Sequence, residues 1–373
     1  MKRMWIFCLS LVLCAALVGG AQAARFWYID LYGERSDAWG VSADGSVVVG
    51  WYRWGDWINA FRWTQSSGAI ALGFLDDSDR SQAYDVSVDG SFVVGRSGLT
   101  EEHQAFRWTQ SDGMVGLGYL PDGGPGSSAS GVSADGSIVV GDCMLGFEGN
   151  EAFRWTQSDG MVGLGYLSDG DYMSYAFDVS ADGSTVVGSS GGIDVFQAFR
   201  WTQSDGMVGL GYLHDGDYRS VANGVSADGS VVVGYSTSSS SRYAEAFRWT
   251  ESDKMVGLGF LADSNESVAL DVSGDGSTVV GYSGSGYNTE AFIWDKINGI
   301  RNLKDLLTDI GHLDLNGWNL DRATAISSDG NTIVGSGTSP NGIPQGWIAK
   351  LEKKEDFPWE IFIPLFKKKP KIF

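Results

Sequence analysis

One ten-residue phrase recurs seven times in this chain, and the repetition constrains the fold more than any other feature. It reads VSADGSVVVG at 41–50 and ends as ISSDGNTIVG in the last copy. Its aspartates are Asp44, Asp89, Asp135, Asp182, Asp228, Asp275 and Asp329, spaced 45 to 54 residues apart. Such a period indicates one supersecondary unit per copy, each of which needs a neighbour to bury its apolar faces.

Each unit contains four segments with the composition of short β-strands. In the third unit these segments are Val115–Leu120, Ala129–Ser133, Ile138–Gly141 and Ala152–Thr156. They are rich in Val, Thr and aromatic residues and are bounded by Gly, Asp and Ser. The Asp135-Gly136 pair predicts a hairpin turn between the second and third segments, because Gly readily adopts positive φ.

Four short antiparallel strands at this period are typical of a propeller blade, so we predict an all-β, seven-bladed β-propeller. The predicted units are 26–68, 69–113, 114–160, 161–206, 207–253, 254–299 and 300–351. We expect the N-terminal strand Phe26–Leu31 to close the ring by joining the blade built from 323–351. Leu303–Ile310 has helical spacing, which explains the longer last interval.

The recurring AFRW segment predicts how neighbouring units pack. Phe153 and Trp155 point to one side of the strand, and Ala152 and Arg154 to the other. A bulky face can then lie against a small one. We therefore expect the tryptophans of this position to belong to the core: Trp63, Trp108, Trp155, Trp201, Trp249, Trp294 and Trp347.

The two ends of the chain differ from the repeats. Residues 1–23 have the basic start, apolar stretch and Ala-Gln-Ala end of a signal peptide, which predicts a mature chain from Ala24 that is secreted, periplasmic or attached to the cell surface. Residues 352–373 form a basic tail, with its lysines concentrated at 367–371. After signal removal Cys143 is the remaining cysteine, so no intramolecular disulfide is expected, and we predict that Cys143 is buried.

Charge and composition exclude several classes of function. The formal net charge is -20, which disfavours nucleic-acid partners. The sequence has three His and shows no nucleophile elbow, phosphate loop or metal-ligand spacing. We therefore predict no catalytic residues, no metal, no cofactor and no transmembrane segment in the mature chain, and we expect a monomer.

The segments between VVG and AFRW differ from copy to copy, whereas the turns hardly change. A rigid scaffold with individual loops is typical of a binding surface, so we place any ligand site on the face that carries these longer connections. Aromatic residues there are the candidate ligand-binding residues: Trp51, Tyr52, Trp54, Trp57, Phe147, Tyr172, Tyr218 and Tyr243. Hydrophobic packing over the first blade is the alternative for the Trp51–Trp57 group.

The order AFRW, GMVGLGYL and VSADGSVVVG resembles the probable extracellular repeat called the HAF family. The His that names this repeat is replaced here, as in EAFRW at Glu151, QAFRW at Gln104 and NAFRW at Asn59. The resemblance covers nearly the whole mature chain. It implies an exported bacterial protein and supplies no catalytic residues.

These observations predict a non-enzymatic secreted or surface scaffold that binds a glycan, a protein or an envelope component. One alternative is an enzyme acting on polysaccharide, a hydrolase or a lyase, with loop carboxylates as acid and base. The loop acids available to it are Asp56, Glu101, Glu102, Asp142, Glu148 and Asp194. A second alternative is a calcium-stabilised array, suggested by the i, i+2 spacing of Asp169 with Asp171 and of Asp215 with Asp217.

Overall fold

The computed structural model describes residues 24–351 except 32–33, 76–77, 100–101, 147–148, 239–242, 286–287 and 310–311. The predicted signal peptide, the basic tail and Phe147 lie outside the described residues. Within them the chain forms twenty-eight strands and one short helix. The prediction of an all-β fold is confirmed.

The strands follow one another along the chain with short connections. The first fourteen are β1 (Ala24–Tyr28), β2 (Ser36–Val41), β3 (Val47–Trp54), β4 (Trp57–Thr64), β5 (Gly68–Ala71), β6 (Ser81–Val86), β7 (Val93–Gly98), β8 (His103–Thr109), β9 (Gly113–Gly116), β10 (Ser127–Val132), β11 (Ile138–Met144), β12 (Asn150–Thr156), β13 (Gly160–Gly163) and β14 (Met173–Val179). The others are β15 (Thr185–Gly191), β16 (Phe196–Thr202), β17 (Gly206–Gly211), β18 (Arg219–Val225), β19 (Val231–Thr237), β20 (Ala244–Thr250), β21 (Lys254–Gly257), β22 (Glu266–Val272), β23 (Thr278–Ser285), β24 (Asn288–Asp295), β25 (Gly299–Asn302), β26 (Asn319–Ile326), β27 (Thr332–Thr338) and β28 (Pro344–Leu351).

The strands pair in sequence order as antiparallel meanders. Four sheets of the described residues have four strands each: β2-β3-β4-β5, β6-β7-β8-β9, β22-β23-β24-β25 and β1-β28-β27-β26. Strands β10 to β21 form one twelve-stranded sheet, in which single parallel residue pairs link β12 to β14 and β16 to β18. The Gly-x-Val-Gly strand pairs with the AFRW strand before it, so each sheet starts one strand later than the predicted sequence unit.

Each Asp-Gly turn is fixed by side-chain hydrogen bonds, as the first copy illustrates. The Asp44 carboxylate accepts hydrogen bonds from the Ser42 hydroxyl and the Ser46 amide, both at 2.9 Å, and Gly45 has a φ of 69°. The Ser42 hydroxyl oxygen accepts the Val47 N–H at 3.0 Å. These bonds satisfy polar groups that the chain reversal leaves unpaired, which explains the recurrence of Ser, Asp and Gly.

The predicted contact between bulky and small faces is present. Phe153 packs in one cluster with Ala105 of the preceding copy, and Ala152 packs with Phe199 of the following copy. The equivalent phenylalanines are fully buried: Phe61, Phe106, Phe153, Phe199, Phe247 and Phe292. In the tryptophan series, Trp108, Trp155, Trp249 and Trp347 are buried, and Trp63, Trp201 and Trp294 are half-buried. Cys143 is also buried, as predicted.

The first and last copies are in direct contact. β1 runs antiparallel to β28, with Ala24 opposite Leu351. The Asp329 N–H donates to the Ala43 carbonyl at 3.2 Å, and the Ala43 N–H donates to the Val88 carbonyl at 3.1 Å. Further backbone bonds of this kind run from Ala134 to Ala181, from Ala181 to Ala227, from Ala227 to Gly274 and from Gly274 to Ser328.

The helix α1 (Leu303–Asp309) lies between β25 and β26. Asn302 caps it, since its side-chain oxygen accepts the Lys304 N–H at 2.9 Å, and Leu303 and Leu307 are fully buried. The predicted helical segment is thus confirmed over Leu303–Asp309, and Ile310 lies outside the described residues. No helix in the described part of the chain has the length and hydrophobicity needed to span a bilayer.

Candidate functional site

The first strand of each copy contains a β-bulge that turns one side chain toward a shared cavity. In β2 the register with β3 shifts between Ala38 and Gly40, so Trp39 is the extra residue. A bulge leaves this residue unpaired and changes the direction of its side chain. The first strand of every other copy has the same shift. The bulged residues there are Tyr84 of β6, Ser130 of β10, Phe177 of β14, Asn223 of β18, Leu270 of β22 and Thr324 of β26.

All seven bulged residues line one cavity of about 540 Å³, which we call the bulge cavity. This volume is within the usual range for ligand sites, roughly 300–1,000 Å³. Aromatic side chains form much of its wall: Trp39, Tyr84, Phe177, Tyr235 and Tyr282. Toward the Asp-Gly turns it is followed by a narrower space of about 120 Å³. That space is lined in part by Val41, Val86, Val132, Val179, Val225, Val272 and Ile326. The bulge cavity therefore lies on the side of the longer connections.

Sequence analysis missed the bulged residues. The segment S-x-A-x-G/D-V-S was interpreted as scaffold, because a bulge changes neither the composition nor the length of a strand noticeably. A signal was nevertheless present. The residue before the Gly or Asp is Trp, Tyr, Ser, Phe, Asn, Leu or Thr, although its neighbours hardly change between copies.

The residue after the bulge alternates between Gly and Asp along the chain. It is Asp85, Asp178 and Asp271 in the second, fourth and sixth copies, and Gly or Ala in the others. In the fourth copy the Asp178 carboxylate accepts the Val179 N–H at 2.7 Å and the Val225 N–H at 2.8 Å. Gly131 of the preceding copy leaves room for this backbone, since a Cβ there would lie 3.0 Å from the Asp178 Cα. Asp178 thus joins its own copy to the following one by hydrogen bonds and packs against the backbone of the preceding one.

Asp85 and Asp271 make the equivalent bonds to their own and the following copies. Burial raises the pKa of Asp85 to about 6 and that of Asp271 to about 7. Burial, together with the charges of Asp85 and Asp271, raises the pKa of Asp178 well above its ordinary value. All three line the bulge cavity. Each carboxylate oxygen of these three aspartates accepts a hydrogen bond from a backbone amide. We therefore interpret the aspartates as residues that hold the wall of the bulge cavity in place.

Asp142 is not itself a lining residue of the cavity; it lies in β11, near the end of the sheet that carries the long connections. It pairs across β10 and β11 with Ser128, a residue of the cavity wall. It accepts a hydrogen bond from the Asn150 amide nitrogen at 2.7 Å. Burial raises the pKa of Asp142 to about 6. This carboxyl therefore populates both its protonated and its ionised form near neutral pH, as an acid–base catalyst must.

Tyr84 and Arg96 form a polar group beside Asp142. Both donate to the Gln82 side-chain oxygen, the Arg96 Nη2 at 2.9 Å and the Tyr84 hydroxyl at 3.2 Å. Burial, and secondarily the negative charge of Asp142, raises the pKa of Tyr84 to about 12. The Tyr84 hydroxyl therefore remains a hydrogen-bond donor over the working pH range.

The predicted aromatic residues of the first copy lie at different depths. Tyr52 is buried, and Trp51 is half-buried with the Arg35 guanidinium 5.1 Å from its ring centroid. Trp54 and Trp57 face each other across the β3–β4 hairpin and are 54% and 48% exposed. The structure therefore presents Trp54 and Trp57 at the surface and packs Tyr52 inside.

The other predicted aromatics are spread over several copies. Tyr172 and Tyr218 are half-buried, Tyr243 is exposed, and Phe147 lies outside the described residues. None of the described members of the predicted set lines the bulge cavity.

The predicted calcium-type loops use their second aspartate to hold the loop. Asp171 accepts a hydrogen bond from the Ser190 hydroxyl at 3.0 Å. Asp217 accepts the Ser236 hydroxyl at 2.9 Å and the His214 N–H at 3.2 Å. In residues 24–351, apart from the gaps given above, no group of three or more His, Cys, Asp or Glu is arranged to hold a metal ion.

No protein-family model matches the sequence, and no curated protein matches it. Among solved structures, an oligogalacturonate lyase from Vibrio parahaemolyticus is similar with a TM-score of 0.58 at 11% identity, over 89% of this chain and 98% of that chain. An oligogalacturonate lyase in complex with manganese is similar with a TM-score of 0.57 at 12% identity, over 89% and 98%. A prolyl endopeptidase is similar with a TM-score of 0.52 at 9% identity, over 85% of this chain and 47% of that chain.

These comparisons show a β-propeller-like fold, and they correct the prediction of a non-enzymatic binding scaffold, which was wrong. That prediction relied on the lack of catalytic motifs. The likeness to the lyase extends over 98% of that chain at 11% identity, and it is a likeness of fold. The residues that line the bulge cavity come from separate copies and form no local motif.

Proposed function

We propose that the protein is an exported enzyme that binds an oligosaccharide or polysaccharide in the bulge cavity and cleaves a glycosidic bond there. The observation that carries the proposal is an aromatic cavity whose wall residue Ser128 pairs across two strands with Asp142, a carboxyl group whose pKa burial raises to about 6. The fold shared with oligogalacturonate lyases is compatible with this activity.

The proposed architecture is a closed ring of seven four-stranded blades. The pairing of β1 with β28 supports closure, as does the hydrogen bond from the Asp329 N–H to the Ala43 carbonyl. The single parallel pairs inside the twelve-stranded sheet are then contacts between adjacent blades. Seven bulged residues around one cavity also agree with seven blades.

We also keep the HAF-type repeat and export as proposals. The repeat order AFRW, GMVGLGYL and VSADGSVVVG supports the first. The signal-like composition of residues 1–23 supports the second.

The cavity wall supplies the groups that saccharide binding requires. Trp39 and Phe177 offer apolar ring faces for the C–H faces of sugars. Asn223 and the Tyr84 hydroxyl supply polar contacts for sugar hydroxyls. On a long polymer, the exposed Trp54 and Trp57 provide a further contact outside the cavity, and Tyr172, Tyr218 and Tyr243 remain proposed contacts of the same kind.

Asp142 is the proposed proton donor. In its protonated form it gives a proton to the departing glycosidic oxygen. In hydrolysis water adds to the anomeric carbon, and in elimination a base removes the C5 proton as the C4–O bond breaks. Asn150 fixes the orientation of this carboxyl through the 2.7 Å hydrogen bond. The raised pKa of Asp142 keeps a useful fraction of it protonated near neutral pH.

The test uses the mature protein with a panel of neutral and acidic polysaccharides. New reducing ends report cleavage, and ultraviolet absorbance of an unsaturated product distinguishes elimination from hydrolysis. We expect Asp142→Asn to lower kcat/KM by about 100-fold or more and to remove the limb of the pH profile near 6.

The matched control is Asp194→Asn, since Asp194 is an exposed loop acid. Its kcat/KM should equal that of the wild type. Failure of the wild type to cleave any member of the panel, or full activity of Asp142→Asn, would contradict the proposal.

A further inference from the structure

We infer that Arg322 makes the bulge cavity selective for saccharides that carry a carboxylate. This inference rests on the proposed function and adds the substrate class. Arg322 belongs to β26, lines the cavity and has an exposed side chain. Its strand shifts register on both sides of Arg322, between Leu320 and Arg322 and between Ala323 and Ala325, and Arg322 lines the cavity together with the bulged Thr324.

The charged groups of the cavity wall differ in whether they are already paired. The four charged side chains among the described lining residues are Asp85, Asp178, Asp271 and Arg322. Each aspartate uses both carboxylate oxygens on backbone amides. Within the described residues, the Arg322 guanidinium makes no hydrogen bond and no ion pair. It is therefore the charged group with donors left for a ligand.

Asp37 and Asp321 lie within electrostatic range of Arg322, whose positive charge acts to lower the pKa of both, but their hydrogen bonds go to other residues. The Asp37 carboxylate forms an ion pair with the Arg35 guanidinium at 3.1 Å. The Asp321 carboxylate accepts a hydrogen bond from the Thr338 hydroxyl at 3.2 Å. An unpaired arginine is unexpected in a chain with 46 acidic and 26 basic side chains. An anionic ligand supplies the missing partner.

The surroundings of Arg322 favour a carboxylate on a sugar. A guanidinium presents parallel N–H groups that match the two oxygens of a carboxylate. Tyr282 also lines the cavity and lies close enough to Arg322 for an electrostatic interaction, in which the positive charge of Arg322 acts to lower the pKa of Tyr282. Its hydroxyl makes no hydrogen bond within the described residues, so it can donate to the same carboxylate or to a neighbouring sugar hydroxyl.

The test is calorimetric binding with matched ligands. The probes are trisaccharides of galacturonate, mannuronate and guluronate, each compared with the same trisaccharide after reduction of its carboxyl groups to alcohols. A sulfated disaccharide tests whether another anion serves as well. We expect at least one uronate to bind about ten-fold or more tightly than its reduced counterpart. This preference should weaken as the salt concentration rises.

The variant Arg322→Gln should lose the preference and retain binding of the reduced trisaccharide. Arg53→Gln is the matched control, because Arg53 is also exposed but donates to the Gly55 carbonyl of its own hairpin at 2.8 Å. It should keep the preference. An unchanged unfolding temperature of Arg322→Gln shows that the fold is intact.

The outcomes separate this inference from the proposed function. Equal binding of every uronate and its reduced form, tighter binding of the sulfated probe than of all uronates, or an unchanged preference in Arg322→Gln overturns the inference and leaves saccharide binding standing. Binding of no saccharide, acidic or neutral, overturns both.

Discussion

The aspartates that follow the bulges hold the first strands of neighbouring copies together. Asp178 connects its own strand to the Val225 amide, 47 residues further along the chain. Asp85 and Asp271 do the same with Val132 and Ile326. The three aspartates are half-buried in the cavity wall, and burial disfavours the ionised form of their carboxyl groups. Burial raises the pKa of these carboxyl groups although the backbone hydrogen bonds act to lower it, and the stability of the fold therefore depends on pH.

We predict that the protein unfolds at a higher temperature at pH 5 than at pH 8. Burial raises the pKa of Asp85 to about 6 and that of Asp271 to about 7. The pKa of Asp178 is also raised well above its ordinary value. Between roughly pH 4 and pH 7 these groups bind more protons in the folded than in the unfolded state, so the unfolding free energy falls as pH rises. For Asp85 alone the effect is on the order of 3 kcal/mol.

Below about pH 4 the trend reverses. The turn carboxylates Asp89, Asp135, Asp182 and Asp228 accept hydrogen bonds that lower their pKa values, and their stabilisation is lost as they become protonated. Thermal unfolding measured from pH 3 to pH 8 tests both trends, the gain in stability from pH 3 to about pH 4 and the loss above it. Asp178→Asn, which cannot ionise, should flatten the slope between pH 5 and pH 8, whereas Asp194→Asn should leave it unchanged. A slope of the opposite sign in the wild type contradicts the interpretation.

At the scale of strands, a glycine determines how closely the first two strands of each copy approach. Gly188 of β15 pairs with Ala176 of β14, and a Cβ on Gly188 would lie 1.9 Å from the Tyr175 carbonyl oxygen. The same glycine ends the VVG triplet or its equivalent in all seven copies: Gly50, Gly95, Gly141, Gly188, Gly234, Gly281 and Gly335. Close strand approach, rather than turn formation, explains this recurrence.

We predict that Gly188→Ala lowers the unfolding free energy by about 2–4 kcal/mol, because the added methyl group must displace backbone. Gly170→Ala is the control, since Gly170 has no positive φ and no atom lies within 4 Å of its Cβ position. It should change stability by less than about 0.5 kcal/mol. Urea denaturation measures both. Equal stability of the two variants would show that the strands can separate without cost.

At the scale of the whole molecule, much of the fold follows from local sequence and the cavity does not. The Asp-Gly pairs predict the hairpins, and the Phe153 and Ala152 alternation predicts packing between copies, because both depend on residues a few positions apart. The bulge cavity depends on single residues such as Trp39, Phe177 and Thr324, which lie in separate copies and share no motif. The aromatic loop residues Trp54 and Trp57, which do stand out in the sequence, lie outside this cavity.

The most direct test of the account is a crystal structure of Asp142→Asn soaked with a uronate trisaccharide. The account predicts electron density for sugar rings in the bulge cavity, against Trp39 or Phe177, with a carboxylate on Arg322 and a glycosidic oxygen within hydrogen-bond distance of the side chain at position 142. Density confined to the Trp54 and Trp57 hairpin, with an empty bulge cavity, would contradict it.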